Sequence, residues 1–199
     1  MKRLYLASSI DRTAGAITKD IGKNPKDLKL VFISTAAEPE KGNKQWLEED
    51  RNGWLKAGFE VFDYTLTGKN SKDIRQDLAS CDIVHVNGGN SLYLLLQARK
   101  SGFDRWVGEF ILSGQKIYTG SSAGSMAAAP DIGVLKELET QGFERKLRSF
   151  ECFGLVDFII FPHWGSDYFK SKYLGHRMEF AYKPENKIIL LNDWQFVKV

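Results

Sequence analysis

The residues Lys116-Ile117-Tyr118-Thr119-Gly120-Ser121-Ser122-Ala123-Gly124 combine a short apolar strand with a glycine-rich turn. The turn fits the pattern G-x-S-x-G, and residues 125–129 favour a helix that Pro130 stops early. A strand that turns sharply into a helix needs glycine where side chains would clash, and it lifts the serine hydroxyl above the sheet. The pattern therefore predicts an α/β arrangement with Ser122 as a nucleophile. A simple helix cap is the alternative role for the same hydroxyl.

Short apolar runs recur along the rest of the chain and are typical of buried strands. They cover residues 2–7, 28–34, 59–65, 83–86, 116–119, 156–161 and 187–191. Helical stretches lie between most of them: residues 43–57 with Gly58 as their stop, a helix capped by Ser71, and residues 91–98 capped by Asn90. This alternation predicts an α/β fold with a mostly parallel sheet flanked by helices.

The composition suits one globular domain over residues 1–199, because 43% of the residues are hydrophobic and 27% are charged. The 28 basic and 25 acidic residues are scattered and leave a net charge of +3, which argues against nucleic acid as a partner. The apolar runs are too short for a membrane span or a signal peptide. Cys81 and Cys152 form no C-x-x-C pair, so we expect no metal site and a cytoplasmic protein with reduced thiols.

Residues just beyond the strands are candidates for the functional site, because ligands bind at the carboxyl ends of parallel strands. The strand at residues 83–86 leads into Gly88, Gly89 and Asn90, and a glycine pair lets backbone amides face a bound oxygen. We expect Gly89 to supply one oxyanion donor and Ala123 the other. A tight turn with Asn90 as helix cap is the alternative for the glycine pair.

A serine nucleophile needs a base, and the chain contains three histidines. His85 lies inside a strand, where a packed histidine is the simpler interpretation. His176 lies in a predicted helix away from the strand ends. His163 follows the strongly apolar strand at residues 156–161, as Ser122 follows its own strand, so we predict that His163 is the base.

A carboxylate must hold the imidazole in the right tautomer. Asp193 follows the strand at residues 187–191, whereas Glu137 lies in a charged segment after Pro130, where a solvated role is simpler. With Asp193 the order along the chain is Ser, His, Asp. An α/β-hydrolase would instead run Ser, Asp, His.

These motifs, in this order, resemble the peptidase E family (family S51), serine peptidases that include α-aspartyl dipeptidase and have cyanophycinase as a more distant relative. The matching stretches are residues 86–90, 120–125, 153–157, 161–163 and 189–193. The resemblance implies a fold similar to class I glutamine amidotransferases, a flavodoxin-like three-layer sandwich. It also implies Ser122 as nucleophile, His163 as base, the amides of Gly89 and Ala123 as oxyanion hole, and no metal or organic cofactor.

The resemblance places the family's glutamate after the last core strand on Asp193, which is one methylene shorter, and an aspartate once favoured as the acid near Glu137. Selectivity for an N-terminal aspartate in the family is attributed to an arginine, and Arg177 matches it. A guanidinium can form a bidentate pair of hydrogen bonds with a carboxylate, and a lysine ammonium cannot reproduce that geometry. A pairing of Arg177 with Glu179 or Asp193 is the alternative. Gly88 and Asn90 complete the predicted substrate contacts.

We therefore predict a cytoplasmic serine dipeptidase that hydrolyses small peptides, with N-terminal Asp preferred, through a Ser-His-Asp triad and an acyl-enzyme. Two other functions stay open: a non-catalytic small-molecule binding or sensor protein on the same fold, and an esterase for small acyl groups. The shorter acid at Asp193, and an end at Val199 that is earlier than the family pattern, favour the binding protein. Expected partners are a small peptide and no membrane, with a homodimer left open.

Overall fold

A six-stranded, mostly parallel sheet forms the centre of the molecule. The computed structural model describes residues 2–136, 139, 141–181 and 187–199, with the backbone alone at residues 176, 180 and 181. The strands are β1 (Arg3–Ala7), β2 (Lys29–Ile33), β3 (Glu60–Tyr64), β4 (Ile83–Val86), β5 (Ile117–Ser121), β6 (Ile159–Phe161), β7 (Ile188–Leu190) and β8 (Phe196–Lys198). The sheet has the order β3-β2-β4-β5-β1-β8, with β8 antiparallel, and β6 and β7 form a separate parallel pair.

Helices connect most of these strands. They are α1 (Ile10–Ile21), α2 (Gln45–Lys56), α3 (Ser71–Asp77), α4 (Ser91–Ser101), α5 (Phe103–Leu112), α6 (Ala123–Met126), α7 (Lys170–Lys172) and α8 (Met178–Ala181). A π-helical turn, Tyr173–Arg177, joins α7 to α8. Short 3-10 turns cover Pro25–Asp27, Thr35–Ala37, Gly133–Leu135, Glu144–Lys146 and Asp167–Phe169.

The central sheet lies between two layers of helices. Side chains alternate along a strand, so Leu4 and Leu6 of β1 pack into the core shared with α3, α4 and α5. Tyr5 and Ala7 pack on the other face with α1 and α2, where Trp54 is fully buried. Each fully buried side chain of this size contributes about 1.5–3 kcal/mol to stability. This three-layer arrangement is the predicted fold class.

Three elements are not predicted from the sequence: α1, α5 and β8. Helix α1 buries Ile10, Ala14, Ile17 and Ile21 on one face, a spacing of three and four residues typical of an amphipathic helix. It ends at Gly22, whose φ of 70° is the left-handed conformation that glycine adopts readily. The signal for α1 is therefore in the sequence, although it is weakened by the polar residues between the apolar ones.

The predictions for two other regions need correction. Only Ile159–Phe161 forms a strand within the predicted run at residues 156–161, and it pairs with β7 outside the central sheet. Helix α3 is capped by Asn70 and not by Ser71, because the Asn70 side chain accepts hydrogen bonds from the amides of Lys72 and Asp73. The amide of Asn70 in turn binds the Asp73 carboxylate, which completes a capping box.

Strand register decides which loops meet at the carboxyl edge of the sheet. Ala7 of β1 lies opposite Ser121 of β5, and Val86 of β4 lies opposite Gly120. The residues that follow these three strands therefore emerge side by side. In the second sheet Phe161 lies opposite Leu190, which brings together the segments that follow β6 and β7.

Candidate active site

The turn after β5 presents Ser122 in a strained conformation, with φ 48° and ψ −110°. A Cβ on Gly124 would lie 1.9 Å from the carbonyl oxygen of Val86, and one on Gly120 would lie 2.7 Å from backbone atoms of the following helix. The amide of Ser122 donates to the carbonyl of Ala7 at 3.1 Å, so β1 holds the turn from the other side. The two glycines of the motif are thus required by close backbone approach, as the sequence predicts.

His163 lies two residues beyond β6 and faces Ser122. The distance from His163 Nε2 to Ser122 Oγ is 3.0 Å, within hydrogen-bond range. The imidazole stacks on the ring of Phe169, with centroids 4.4 Å apart and planes 13° apart, and only 15% of the side chain is exposed. His163 also has a positive φ of 66°. Stacking on Phe169 therefore fixes one face of the ring.

Asp193 lies three residues beyond β7 and contacts the other nitrogen of the same imidazole. Asp193 Oδ1 is 2.6 Å from His163 Nδ1. This hydrogen bond holds the pKa of the Asp193 carboxyl below its ordinary value, with a smaller lowering from Ser8 and an opposing effect of partial burial. Asp193 is accordingly a carboxylate at neutral pH. Glu137, the alternative acid, lies outside the described residues.

The predicted oxyanion loop lies against the serine. A Cβ on Gly88 would be 3.2 Å from Ser122 Cβ, and one on Gly89, at φ 129°, would be 2.2 Å from the carbonyl oxygen of Ala36. Ala123 is the first residue of α6, so its backbone N–H has no carbonyl partner within the helix. Asn90 caps α4 by accepting from the Tyr93 amide at 2.8 Å. Its part in substrate binding stays a prediction.

Ser8 is a site residue that the sequence reasoning missed. It is fully buried, and its hydroxyl lies 2.8 Å from Asp193 Oδ1 and 3.4 Å from His163 Nδ1. Ser8 is the first residue beyond β1, so the rule that ligands lie beyond strand ends could have found it. Serine is common in such turns, however, and nothing local distinguishes this one.

His85 is separate from this group. His85 is fully buried in β4, where its ring nitrogens contact Thr119 Oγ1 at 2.9 Å and Asn87 Oδ1 at 3.0 Å. Burial lowers the pKa of His85 to about 4, so it is a neutral core residue at physiological pH. This agrees with the packed role expected for it. The structure describes only the backbone of His176.

Arg177 lies in an aromatic environment and contacts the residue that precedes His163. Its side chain is 6% exposed, and its guanidinium carbon lies 4.8–5.7 Å from the ring centres of Phe161, Phe169 and Tyr173. Nη1 donates to the carbonyl of Pro162 at 3.3 Å, next to His163 in the chain. Nε makes no hydrogen bond within the described part of the chain. A buried donor without a partner favours an incoming acceptor.

A surface pocket of about 310 Å³ opens beside the segment that follows His163, lined by Trp164, Gly165, Ser166, Asp167, Lys170, Tyr173 and Leu174. Its wall combines aromatic rings with one acidic and one basic side chain. In the described residues, no group of three or more His, Cys, Asp or Glu side chains is placed to hold a metal ion. Every helix in the described ranges is too short or too polar to cross a bilayer.

This fold, with hydroxyl, imidazole and carboxylate in contact at its carboxyl edge, belongs to the class of α/β peptidases. More narrowly, the chain belongs to peptidase family S51, whose model matches residues 7–199. It is 32% identical over 164 residues to an uncharacterised peptidase of Pasteurella multocida, covering 82% of this chain and 78% of that one. It is 28% identical over 162 residues to Peptidase E of Streptomyces coelicolor, covering 81% of this chain and 59% of the relative.

Solved structures share the fold. A crystal structure of a candidate peptidase E protein from Listeria monocytogenes matches with a TM-score of 0.85 at 23% identity, covering 100% of this chain and 98% of that one. A peptidase from an acI-B1 Actinobacterium matches with a TM-score of 0.68 at 18% identity, covering 100% and 83%. The predicted fold class and the family resemblance are thereby confirmed.

Proposed function

We propose that this peptidase is a serine-type dipeptidase that cleaves small peptides through Ser122, His163 and Asp193. The observation that carries the proposal is the unbroken chain of contacts: 2.6 Å from carboxylate to imidazole and 3.0 Å from imidazole to hydroxyl. Each of the three side chains comes from a different strand end. A nucleophile, a base and an orienting group within hydrogen-bond reach are the signature of an activated serine.

In the first half of the reaction, Ser122 Oγ attacks the scissile carbonyl carbon while His163 Nε2 accepts its proton. The carbonyl oxygen becomes an oxyanion, for which the amides of Gly89 and Ala123 are the proposed donors. The intermediate then collapses, and His163 returns the proton to the leaving amine as the C–N bond breaks. The N-terminal residue stays on Ser122 as an ester.

In the second half, a water molecule gives its proton to His163 Nε2 and attacks the ester carbonyl. Collapse of this second intermediate breaks the bond to Ser122 Oγ, which recovers the proton from His163. Throughout, the imidazole alternates between neutral and protonated forms. The low pKa of Asp193 keeps a negative charge beside it, which stabilises the protonated form.

We further propose that Arg177 favours substrates whose first side chain carries a carboxylate. Its guanidinium is enclosed by three aromatic rings, and its Nε has no hydrogen-bond partner among the described residues. A carboxylate would satisfy this donor and neutralise a buried charge. Arg177 also donates a hydrogen bond to the carbonyl of Pro162, the residue before the proposed base His163. Gly88, where an added Cβ would lie 3.2 Å from Ser122 Cβ, is also proposed to line the substrate site.

The test is release of free amino acids from Asp-Leu, Glu-Leu, Asn-Leu and Ala-Leu by the wild-type protein, Ser122→Ala and Arg177→Lys, with the exposed Arg148→Lys as control. We expect preferential cleavage of Asp-Leu, no turnover by Ser122→Ala, and a selective loss of Asp-Leu cleavage in Arg177→Lys. Retained turnover by Ser122→Ala would overturn the serine mechanism. Equal cleavage of all four peptides would overturn the role of Arg177.

A fluorophosphonate probe and p-nitrophenyl acetate separate the other functions. Labelling of Ser122 with peptide cleavage supports the dipeptidase. Labelling and ester hydrolysis without peptide cleavage would indicate an esterase. An inert Ser122 would indicate a binding protein on the same fold.

A further inference from the structure

We infer that Ser8 is a positioning residue that sets the tautomer of His163 and aligns Asp193 with it. The inference rests on the proposed function, because it assigns Ser8 a part in activating Ser122. The observation that carries it is a set of three contacts between the buried Ser8 hydroxyl and two residues, His163 and Asp193. Nothing in the motifs of the sequence points to this residue.

The Ser8 hydroxyl lies between the base and the acid. Its Oγ is 2.7 Å from the backbone nitrogen of His163, 2.8 Å from Asp193 Oδ1 and 3.4 Å from His163 Nδ1. The residue is fully buried. A hydroxyl in such a site must satisfy its hydrogen bonds with these protein groups.

Counting donors and acceptors fixes the direction of each contact. A hydroxyl has one hydrogen to donate and two lone pairs, and an ionised carboxylate can only accept. The Ser8 hydrogen therefore goes to Asp193, and one lone pair accepts the amide hydrogen of His163. Toward His163 Nδ1 the hydroxyl can present only its remaining lone pair.

This arrangement requires that Nδ1 of His163 carry a hydrogen. Asp193 Oδ1, 2.6 Å away, accepts this hydrogen while the bond from Ser8 holds the carboxylate in line. With the hydrogen on Nδ1, the neutral ring leaves Nε2 bare toward Ser122 Oγ, which is the form a general base needs. Ser8 and Asp193 thus act together on the tautomer.

The backbone of Ser8 links the same segments. Its amide donates to the carbonyl of Gln195 at 3.3 Å, in the turn that carries Asp193. Its carbonyl lies 3.4 Å from the hydroxyl of Ser121, next to the nucleophile. The bond from the His163 amide stabilises a backbone whose positive φ is unfavourable for a non-glycine residue. Ser8 therefore forms hydrogen bonds with His163, with Asp193 and its turn, and with Ser121, the residue before Ser122.

The experiment compares Ser8→Ala with Ser101→Ala, a matched control. Ser101 is an equally buried serine at the end of α4, and its hydroxyl contacts two local backbone groups, the Ala98 carbonyl and the Phe103 amide. We expect Ser8→Ala to lower kcat on Asp-Leu by roughly ten- to a hundredfold with little change in KM. Ser101→Ala should leave both constants near the wild-type values. Equal kcat in the two variants, at a temperature where each is folded by circular dichroism, would overturn the inference.

A second measurement reads the tautomer without any substrate. In protein labelled with ¹⁵N-histidine, His163 is assigned with a His163→Gln variant, and its two nitrogen shifts are followed with pH. The wild-type protein should show one neutral tautomer with the hydrogen on Nδ1, and Ser8→Ala should show a mixture. Unchanged shifts in Ser8→Ala would contradict the inference. Ser8→Cys, whose thiol donates only weakly, should fall between the two, and it serves in place of Ser8→Ala if that variant does not fold.

The two measurements distinguish this inference from the proposed function. If no peptide is cleaved but the tautomer of His163 changes in Ser8→Ala, the dipeptidase proposal fails and the positioning role of Ser8 stands. If peptides are cleaved and neither kcat nor the nitrogen shifts respond, the positioning role fails and the dipeptidase stands.

Discussion

Ser122 and His163 share an uncommon backbone conformation. They are the two non-glycine residues with positive φ in the described ranges of the chain. Such a conformation costs about 1–3 kcal/mol and persists only where surrounding bonds enforce it. For Ser122 the bond is to Ala7, and for His163 it is to Ser8. Ala7 ends β1 and Ser8 follows it, so this short segment holds the backbone of both Ser122 and His163.

We predict that Asp193→Asn lowers kcat on Asp-Leu by about 10⁴-fold, because an amide that donates to Nδ1 stabilises the wrong tautomer. Asp157→Asn is the matched control, since Asp157 is an exposed carboxylate paired with Lys187 on the surface. Glu137→Gln is measured beside them. Full activity of Asp193→Asn together with loss in Glu137→Gln would transfer the role of the acid to Glu137.

The turn between β5 and α6 depends on glycines that contact backbone. Gly124 packs against Val86 of β4 so closely that any side chain must push the strand and the helix apart. The same contact holds the turn with Ser122, the proposed nucleophile, against the end of β4, which leads into the proposed oxyanion loop. Local sequence and close packing therefore act on the same element.

We expect Gly124→Ala to reduce both the free energy of unfolding and the rate of Ser122 labelling by a fluorophosphonate. The reason is the 1.9 Å approach of the added Cβ to the Val86 carbonyl oxygen. Gly15→Ala in α1 is the control, because nothing lies within 4 Å of its Cβ position and alanine favours a helix by about 1 kcal/mol. Urea unfolding followed by circular dichroism measures both variants. A stability of Gly124→Ala equal to that of Gly15→Ala would contradict the close-packing explanation.

Helix α1 is stabilised at its N-terminus by a carboxyl group from α2. Asp50 is 6% exposed and accepts a hydrogen bond from the Asp11 amide at 3.2 Å. Burial raises the pKa of Asp50 to about 7, above its ordinary value of 3.8. Since the folded form holds its proton more tightly than the unfolded form, this group stabilises the fold below about pH 4. That stabilisation is lost as the pH rises through about 7.

We predict that Asp50→Asn changes the pH dependence of stability. The difference in unfolding free energy between this variant and the wild type should move in favour of the variant from pH 4 to pH 8, by on the order of a few kcal/mol. Asp63→Asn, which changes an exposed carboxylate on β3, should instead parallel the wild type. Urea titrations at several pH values measure all three proteins. A constant difference between Asp50→Asn and the wild type would refute the assignment.

Across the whole molecule, the site is assembled from segments near residues 8, 88, 122, 163 and 193. Four of these follow β1, β4, β5 and β6, and the last follows β7. Strand β8 then returns antiparallel to β1, with Leu4 and Val199 exchanging two backbone hydrogen bonds at 2.9 and 3.0 Å. The last strand thereby ties the Asp193 turn to the segment that carries Ser8.

We propose that the chain unfolds as one domain, and we predict a single cooperative transition in urea. Fluorophosphonate labelling of Ser122 should be lost at the same urea concentration at which the tryptophan fluorescence changes, to which the buried Trp54 and Trp106 contribute. The physical reason is that β1, β5 and β6, which lead into the site, have side chains in all three hydrophobic clusters of the described residues. Loss of labelling well before the fluorescence change would show that the site unfolds separately.

Much of this could be predicted from the sequence, because the relevant signals are local. Apolar runs, glycine spacing and helix caps are read within a few residues, so the α/β fold, the turn at Ser122 and the cap at Asn90 follow from them. The positions of His163 and Asp193 beyond strands also follow. The second sheet does not, since β6 and β7 have the same apolar character as the strands of the central sheet.

Only the tertiary structure decided which distant side chains come into contact. Strand pairing brings residue 8 beside residues 163 and 193, and no sequence pattern encodes that meeting because it depends on register between distant strands. The direction of each hydrogen bond then follows from which donors and acceptors are enclosed together. The sequence thus determined the elements and the candidate groups. Packing determined that the buried Ser8 contacts both His163 and Asp193 and that Arg177 lies among aromatic rings.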